Sequence, residues 1–283
     1  MLKIFGRGAR YDAPCSLLLG GFDGLHAGHR VLIAEAKRTG LPVCMTTILG
    51  GKEGTLFTQK ERSYIFENAG IDCIWELSFT EELKNTSAED FIAELLTKFN
   101  AKAIFCGGDF RFGRGAEGTP ELLKKNAPCP VKVLSLLEKD GQKISGSRIK
   151  NELEKGNISV VNELLGADWF LEGIVEHGRH VGHTYGFPTL NLAPAQEKIM
   201  PMDGVYAGYC DTPKGRYKTI VNVGARPTFG VAERKVEAYL DGFEGDLYGA
   251  EARVFLTSFL RPVIRFADQN ALKIQLEKDK KCL

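Results

Sequence analysis

The chain of 283 residues carries 37 Lys and Arg against 36 Asp and Glu, a net charge of +1, and 43% of it is hydrophobic. So close a balance gives no overall field to draw nucleic acid or an anionic membrane, and an anionic ligand has to be held by a local site. The length fits two ordinary domains, and seven scattered cysteines without a C-x-x-C pair read as reduced thiols of a cytoplasmic protein.

The opening MLKIFGRGARYDAPC lacks the sustained apolar core of a secretory leader, and no stretch approaches the length of a membrane span. Short apolar runs then alternate with amphipathic stretches. SLLLGGF (16–22), PVCMTTIL (42–49), DCIWELSF (72–79), AIFCGGDF (103–110) and VKVLSL (131–136) have strand character. Helices fall between them. One begins near Gly28; Thr58 with Glu61 makes a capping box, Ser87 opens a third helix, and Thr119 with Pro120 caps a fourth. Gly70 and Asn100 stand where helices end. This alternation predicts a parallel sheet with helices on both faces, whose ligands bind at the carboxyl ends of the strands.

Residues 146–165 still look helical, and the period changes after Asp168. WFLEGIVEHG, GVYAGYCD, YKTIVNVG, KVEAYLDG and ARVFLTSFL are strand-like runs separated by turn residues, with a helix from Asp268 onward. Repeated short strands predict an antiparallel barrel or sandwich. The domain boundary is expected between residues 165 and 166.

All five histidines lie in two Gly-rich segments: His26 and His29 in GGFDGLHAGH, and His177, His180 and His183 in HGRHVGHTYGFPTLNL. The first pair admits three readings: surface loop residues, metal ligands completed by carboxylates, or phosphate-binding groups. Phosphate is favoured, because an apolar run delivers the chain to Gly20 and Gly21, and a helix N-terminus with unpaired N–H groups follows. In the second segment Gly178, Gly182 and Gly186 exclude a stable helix, and the chain has no Walker A loop. Glycines followed by Pro188, Thr189 and Asn191 can hold a nucleotide phosphate with Mg2+, or form a plain turn.

Three segments in order, GGFDGLHAGH (20–29), CGGDFRFGRGAEG (106–118) and ISGSRIK (144–150), resemble the nucleotidyltransferase module of prokaryotic bifunctional riboflavin kinase/FAD synthetases. GFPTLNL, DGVYAG, VNVGARPTFG and VEAYLDGFEGDLYG resemble the riboflavin kinase segments of the same family. The resemblance implies an α/β chain with an N-terminal nucleotidyltransferase-like doubly wound parallel sheet. A C-terminal antiparallel β-barrel kinase domain with a terminal helix would follow it.

The implied activity is a two-step enzyme in which residues 166–283 convert riboflavin and ATP to FMN, and residues 1–165 convert FMN and ATP to FAD. The resemblance gives catalytic roles to His26, His29 and Glu237, the last as general base for the ribityl hydroxyl. It gives phosphate binding to Gly20, Phe22, Asp23, Gly24, Gly28, Ser147, Lys150, Gly178 and Gly182. Thr189 and Asn191 would hold Mg2+ with ATP, and Asp109, Phe110 and Phe112 would meet flavin or nucleotide. The implied partners are riboflavin, ATP and FMN, with no nucleic acid and no membrane; oligomeric state is left open.

The chain departs from the family in three places. TTILGGKEGTLFT replaces the usual Pro-His-Pro stretch after Thr46, Lys150 stands for an arginine, and Gly21 for a frequent asparagine. Lys keeps the charge and loses the bidentate fork. All three fall in the adenylyltransferase half, which leaves two alternatives: a riboflavin kinase whose first domain is degenerate, and a flavin-sensing regulator.

Overall fold

A computed structural model describes residues 2–50, 54–176, 189–228, 231–264 and 266–283. The chain divides into two units, Met1–Gly146 and Ser147–Leu283.

In the first unit the strands are β1 (Lys3–Phe5), β2 (Tyr11–Leu19), β3 (Val43–Leu49), β4 (Cys73–Ser78), β5 (Phe99–Gly107) and β6 (Val131–Leu134). They form one sheet in the order β1-β4-β3-β2-β5-β6, every pair parallel. Parallel strands buried on both faces show continuous apolar runs. Leu17 and Leu19 point into one core with Phe91, Ile92, Leu95 and Leu123, whereas Leu18 points into the other with Leu32, Ile33, Ala36 and Phe66. The helices α1 (Ala27–Lys37) and α2 (Gln59–Asn68) thus cover one face. The short α3 (Glu81–Asn85) leads into α4 (Ala88–Lys98), which with α5 (Pro120–Asn126) covers the other. The chain therefore changes sides between β4 and β5, and β5 pairs with β2 through Leu19↔Cys106. A crevice forms at such a switch point, outside the carboxyl ends of the two strands.

The expected caps are present: Thr58 and Glu61 reciprocate, and Ser87 and Thr119 each accept a backbone N–H. Asn100 is not a helix stop. It belongs to β5, which starts at Phe99 directly after α4 because the buried Phe99 ring anchors the strand in the core. The fifth strand run also ends earlier than expected, at Gly107. A two-strand hairpin, β7 (Glu138–Lys139) with β8 (Gln142–Lys143), follows β6.

α6 (Gly146–Glu154) and α7 (Ile158–Leu165) fill the expected helical stretch. They lie between the division at Gly146/Ser147 and the expected boundary after residue 165. The strands β9 (Trp169–Glu176), β10 (Thr189–Leu192), β11 (Gly204–Thr212), β12 (Gly215–Thr228), β13 (Val231–Leu240) and β14 (Glu251–Arg261) close an antiparallel barrel in the order β10-β13-β12-β11-β14-β9. Val221, Val223, Val236 and Ala238, paired across β12 and β13, are fully buried in its interior. The alternate residues face outward, where Val205, Ile220 and Tyr239 pack with Leu276 of α8 (Gln269–Lys280) and with Leu283. Asn162 ties α7 to the barrel, donating to the Leu256 carbonyl at 2.8 Å and accepting from the Trp169 N–H at 2.8 Å.

Candidate active sites

The loop between β2 and α1 is shaped by close packing. A Cβ on Gly20 would lie 2.8 Å from the Phe22 ring, and one on Gly24, at φ +140°, would lie 2.8 Å from Phe57. Phe22 is 2% exposed and adopts φ +42°, a region an L side chain rarely enters. The buried Thr47 hydroxyl donates to the Gly21 carbonyl at 3.3 Å, and the Ile48 N–H donates to the same oxygen at 3.4 Å. Where the resemblance leads one to expect Pro-His-Pro after Thr46, β3 continues through Leu49 and its threonines brace the loop. Asp23 lies within electrostatic reach of the buried Arg62 of α2.

His26 is the N-cap of α1, its Nδ1 accepting the His29 N–H at 3.3 Å. Gly28 gives that ring room, since a Cβ there would be 3.1 Å from His26 Cε1. His29 Nδ1 lies 3.1 Å from the Gly24 carbonyl and 3.5 Å from the His26 N–H. One nitrogen cannot donate to the first and accept from the second, and the shorter contact requires a proton on His29 Nδ1. The neutral tautomers follow. His26, accepting through Nδ1, carries its proton on Nε2 and is a donor; His29 keeps a lone pair on Nε2. The two rings stack, with centroids 3.5 Å apart and 18° between planes. Burial lowers the His26 pKa to about 4, against a raising effect of Asp109 and with a lowering one from Lys143. Burial, and then the neighbouring His26, push His29 well below the ordinary histidine range, against the Gly24 hydrogen bond. At neutral pH the pair is a set of uncharged donors and acceptors at a helix N-terminus, suited to a phosphate.

The other wall of the crevice is the end of β5, where Asp109 is ion-paired with Lys143 of β8. Phe112, which the resemblance puts at flavin or nucleotide and whose alternation with Phe110 equally fits a core strand, is 7% exposed and packs 5.3 Å from Phe91. It anchors the loop from below, and Phe110 stacks on it at 5.4 Å. Ser147 and Lys150 lie near the start of α6, in the second unit.

In the barrel, Thr189 and Asn191 share one face of β10. Asn191 is directly opposite Glu237 on β13, and Glu237 is directly opposite Asn222 on β12. On its other side Asn191 faces Glu176 of β9. A polar row, Glu176–Asn191–Glu237–Asn222, therefore crosses the outer face of the barrel, with neighbouring Cβ atoms about 5 Å apart as directly opposed residues are. Asn222 and Glu176 were not singled out from the sequence; alternation in VNVG and IVEHG was the available signal, and only register aligns them with Glu237. Gly178 and Gly182, with His177, His180 and His183, lie outside the described residues. Thr189 and Asn191 offer hard oxygen donors that fit a divalent cation. Among the described residues no cluster of three or more His, Cys, Asp or Glu would hold a metal alone.

Two family models match the chain, riboflavin kinase over residues 165–283 and FAD synthetase over residues 9–148. The bifunctional riboflavin kinase/FMN adenylyltransferase of Escherichia coli K12 is 31% identical over 94% of this chain and 90% of its own length. The enzyme of the same description from Bacillus subtilis 168 is 31% identical, covering 95% and 91%. A crystal structure described as a macrolide-efflux protein from Streptococcus pneumoniae aligns with TM-score 0.90 at 28% identity, covering 98% of this chain and 97% of that one. No helix among the described residues is long and apolar enough to cross a membrane. Matches to a catalytic family in each half do not favour a single-activity kinase or a flavin sensor.

Proposed function

The chain belongs to the bifunctional riboflavin kinase/FMN adenylyltransferase family, and on that premise we propose the residues through which it phosphorylates riboflavin to FMN and adenylylates FMN to FAD. The two reactions are divided between residues 166–283 and residues 1–165, in a protein whose free cysteines suit a reducing cytoplasm.

In the kinase step Glu237 accepts the proton of the ribityl 5'-hydroxyl as that oxygen attacks the γ-phosphorus of ATP and the bond to the bridging oxygen breaks, releasing ADP. Thr189 and Asn191 would hold Mg2+, which when bound neutralises phosphate charge, and Gly178 and Gly182 cradle the phosphates. Positioning and charge neutralisation are most of what phosphoryl transfer requires. The observation that carries this reading is the register that sets Asn191 directly opposite Glu237.

In the adenylyl step a phosphate oxygen of FMN attacks the α-phosphorus of ATP, and pyrophosphate leaves with the electron pair of the broken bond. The N–H groups of α1 and the Nε2–H of His26 meet the charge that grows on the leaving group. His29 orients His26 and the loop, and the resemblance assigns phosphate oxygens to Ser147 and Lys150. Asp109 and Phe110 border the nucleotide or flavin. The stacked imidazoles at a helix N-cap support this assignment.

Incubating the protein with riboflavin and MgATP, with pyrophosphatase present, tests the pair of steps by separation of flavins: both FMN and FAD accumulate. Replacing Glu237 by Gln lowers FMN formation by about 100-fold or more, the usual worth of a general base. Undiminished turnover in that variant would remove Glu237 from the mechanism.

A further inference from the structure

We infer that Lys143 is a phosphate-binding residue of the adenylyl-transfer site, exchanging its ion pair with Asp109 for the phosphates that meet at His26. The inference rests on the adenylyl-transfer reading of the first unit. Three chain segments converge to support it.

The β7–β8 hairpin sets Lys143 opposite Glu138, and the Ile144 N–H donates to the Leu137 carbonyl at 2.9 Å, fixing the strand that carries the lysine. From there the ammonium reaches Asp109, whose carboxylate folds over the end of β5: a Cβ on Gly107 would lie 2.9 Å from Asp109 Oδ1. Asp109 and Lys143 both act electrostatically on His26, across the crevice at the end of β2. Lysine, carboxylate and N-capping histidine thus border one opening at the switch point.

The chemistry there needs a cation. ATP and FMN are both polyanions, and on the adenylyl-transfer reading the nucleotide or the flavin borders the Asp109 carboxylate. The resemblance leads one to expect a histidine after Thr46, where this chain has threonines that hold backbone carbonyls. Arg62 is buried, donates to the Ile48 carbonyl at 3.5 Å and faces Asp23 and Glu76. The Arg111 guanidinium donates to the Phe110 carbonyl at 2.8 Å. Lys143 differs from both: its side chain is 42% exposed and that of Asp109 is 47% exposed, so the pair is screened by water and readily opened. A flexible ammonium with three donors can follow a phosphate as it moves.

The test is steady-state FAD formation from FMN and MgATP by full-length Lys143→Met and Lys143→Arg, with FMN formation from riboflavin by the same preparations as the control for folding. Lys143→Met lowers kcat/KM for FAD formation by about 10- to 100-fold, in the range of one lost transition-state donor, and leaves FMN formation unchanged. Lys143→Arg keeps FAD formation within about threefold of the parent. The loss persists when Asp109 is also Asn; its disappearance in that background would make Lys143 a clamp on Asp109 and overturn the phosphate contact. FAD formation within twofold of the parent in Lys143→Met would also overturn it, whereas a parent that makes FMN and no FAD would overturn the reading beneath it.

Discussion

At the position of His26 most helices place Ser, Thr, Asp or Asn, short side chains that accept a backbone N–H without titrating near neutrality. An imidazole there does the same work only while Nδ1 is unprotonated. The folded His26 pKa is lowered to about 4 by burial, while the unfolded chain keeps the ordinary value of 6.5. Between those values the unfolded state binds a proton that the folded state refuses, so stability falls as pH drops through that window. Melting of the protein across pH 7 to 4 shows this loss, and His26→Asn, which keeps an acceptor at the cap, removes the His26 share and makes the dependence shallower while the part due to His29 stays. An equally steep pH dependence in that variant would place the titrating group elsewhere. The same tautomer argument separates the two histidines in catalysis. Losing His26 removes a donor, whereas losing His29 removes the hydrogen bond to the Gly24 carbonyl that orients the loop.

Among the elements, those specified by local chemistry were legible in the sequence. The capping residues of α2, α4, α5 and α8 announce their helices, because a cap acts on N–H groups two or three residues away. Thr58→Ala costs about 1 kcal/mol of stability, read as a shift in denaturant midpoint with unchanged slope. Asn162→Ala, which strips two hydrogen bonds between α7 and the barrel strands, costs more than Thr58→Ala by the same measurement. The short β1 and the β7–β8 hairpin were not legible, since strands of two or three residues carry too little period to read, and β10 follows a Gly- and Pro-rich stretch that reads as a turn. Asn100 misled because a residue that ends helices also fits an exposed strand position. Likewise the histidine pair was visible as a motif, whereas the row that joins Asn191 to Glu237 and Asn222 depends on strand register, and its Asn191–Glu237 step on strands distant in sequence.

For the whole molecule, two family matches over separate stretches of the chain predict separable chemistry. Glu237→Gln makes little FMN from riboflavin yet forms FAD at the parent rate when FMN is supplied. His26→Ala does the reverse, accumulating FMN and making at least about 100-fold less FAD. Chromatography of the flavins from each variant checks both, and loss of both activities in either variant would mean that the steps are not independent. The crevice between β2 and β5 carries a different consequence, for biosynthesis. Its histidine loop emerges from the ribosome early, but its opposite wall exists only after Gly107 has been made and β5 has inserted beside β2, with β3 and β4 formed in between. A truncated nascent chain ending before β5 therefore exposes the edge of β2 and lacks the second wall of the proposed nucleotide site. Binding of ATP by stalled chains of increasing length should switch on only once the fifth strand is free to pair, which makes nucleotide affinity a clock for co-translational folding of this unit.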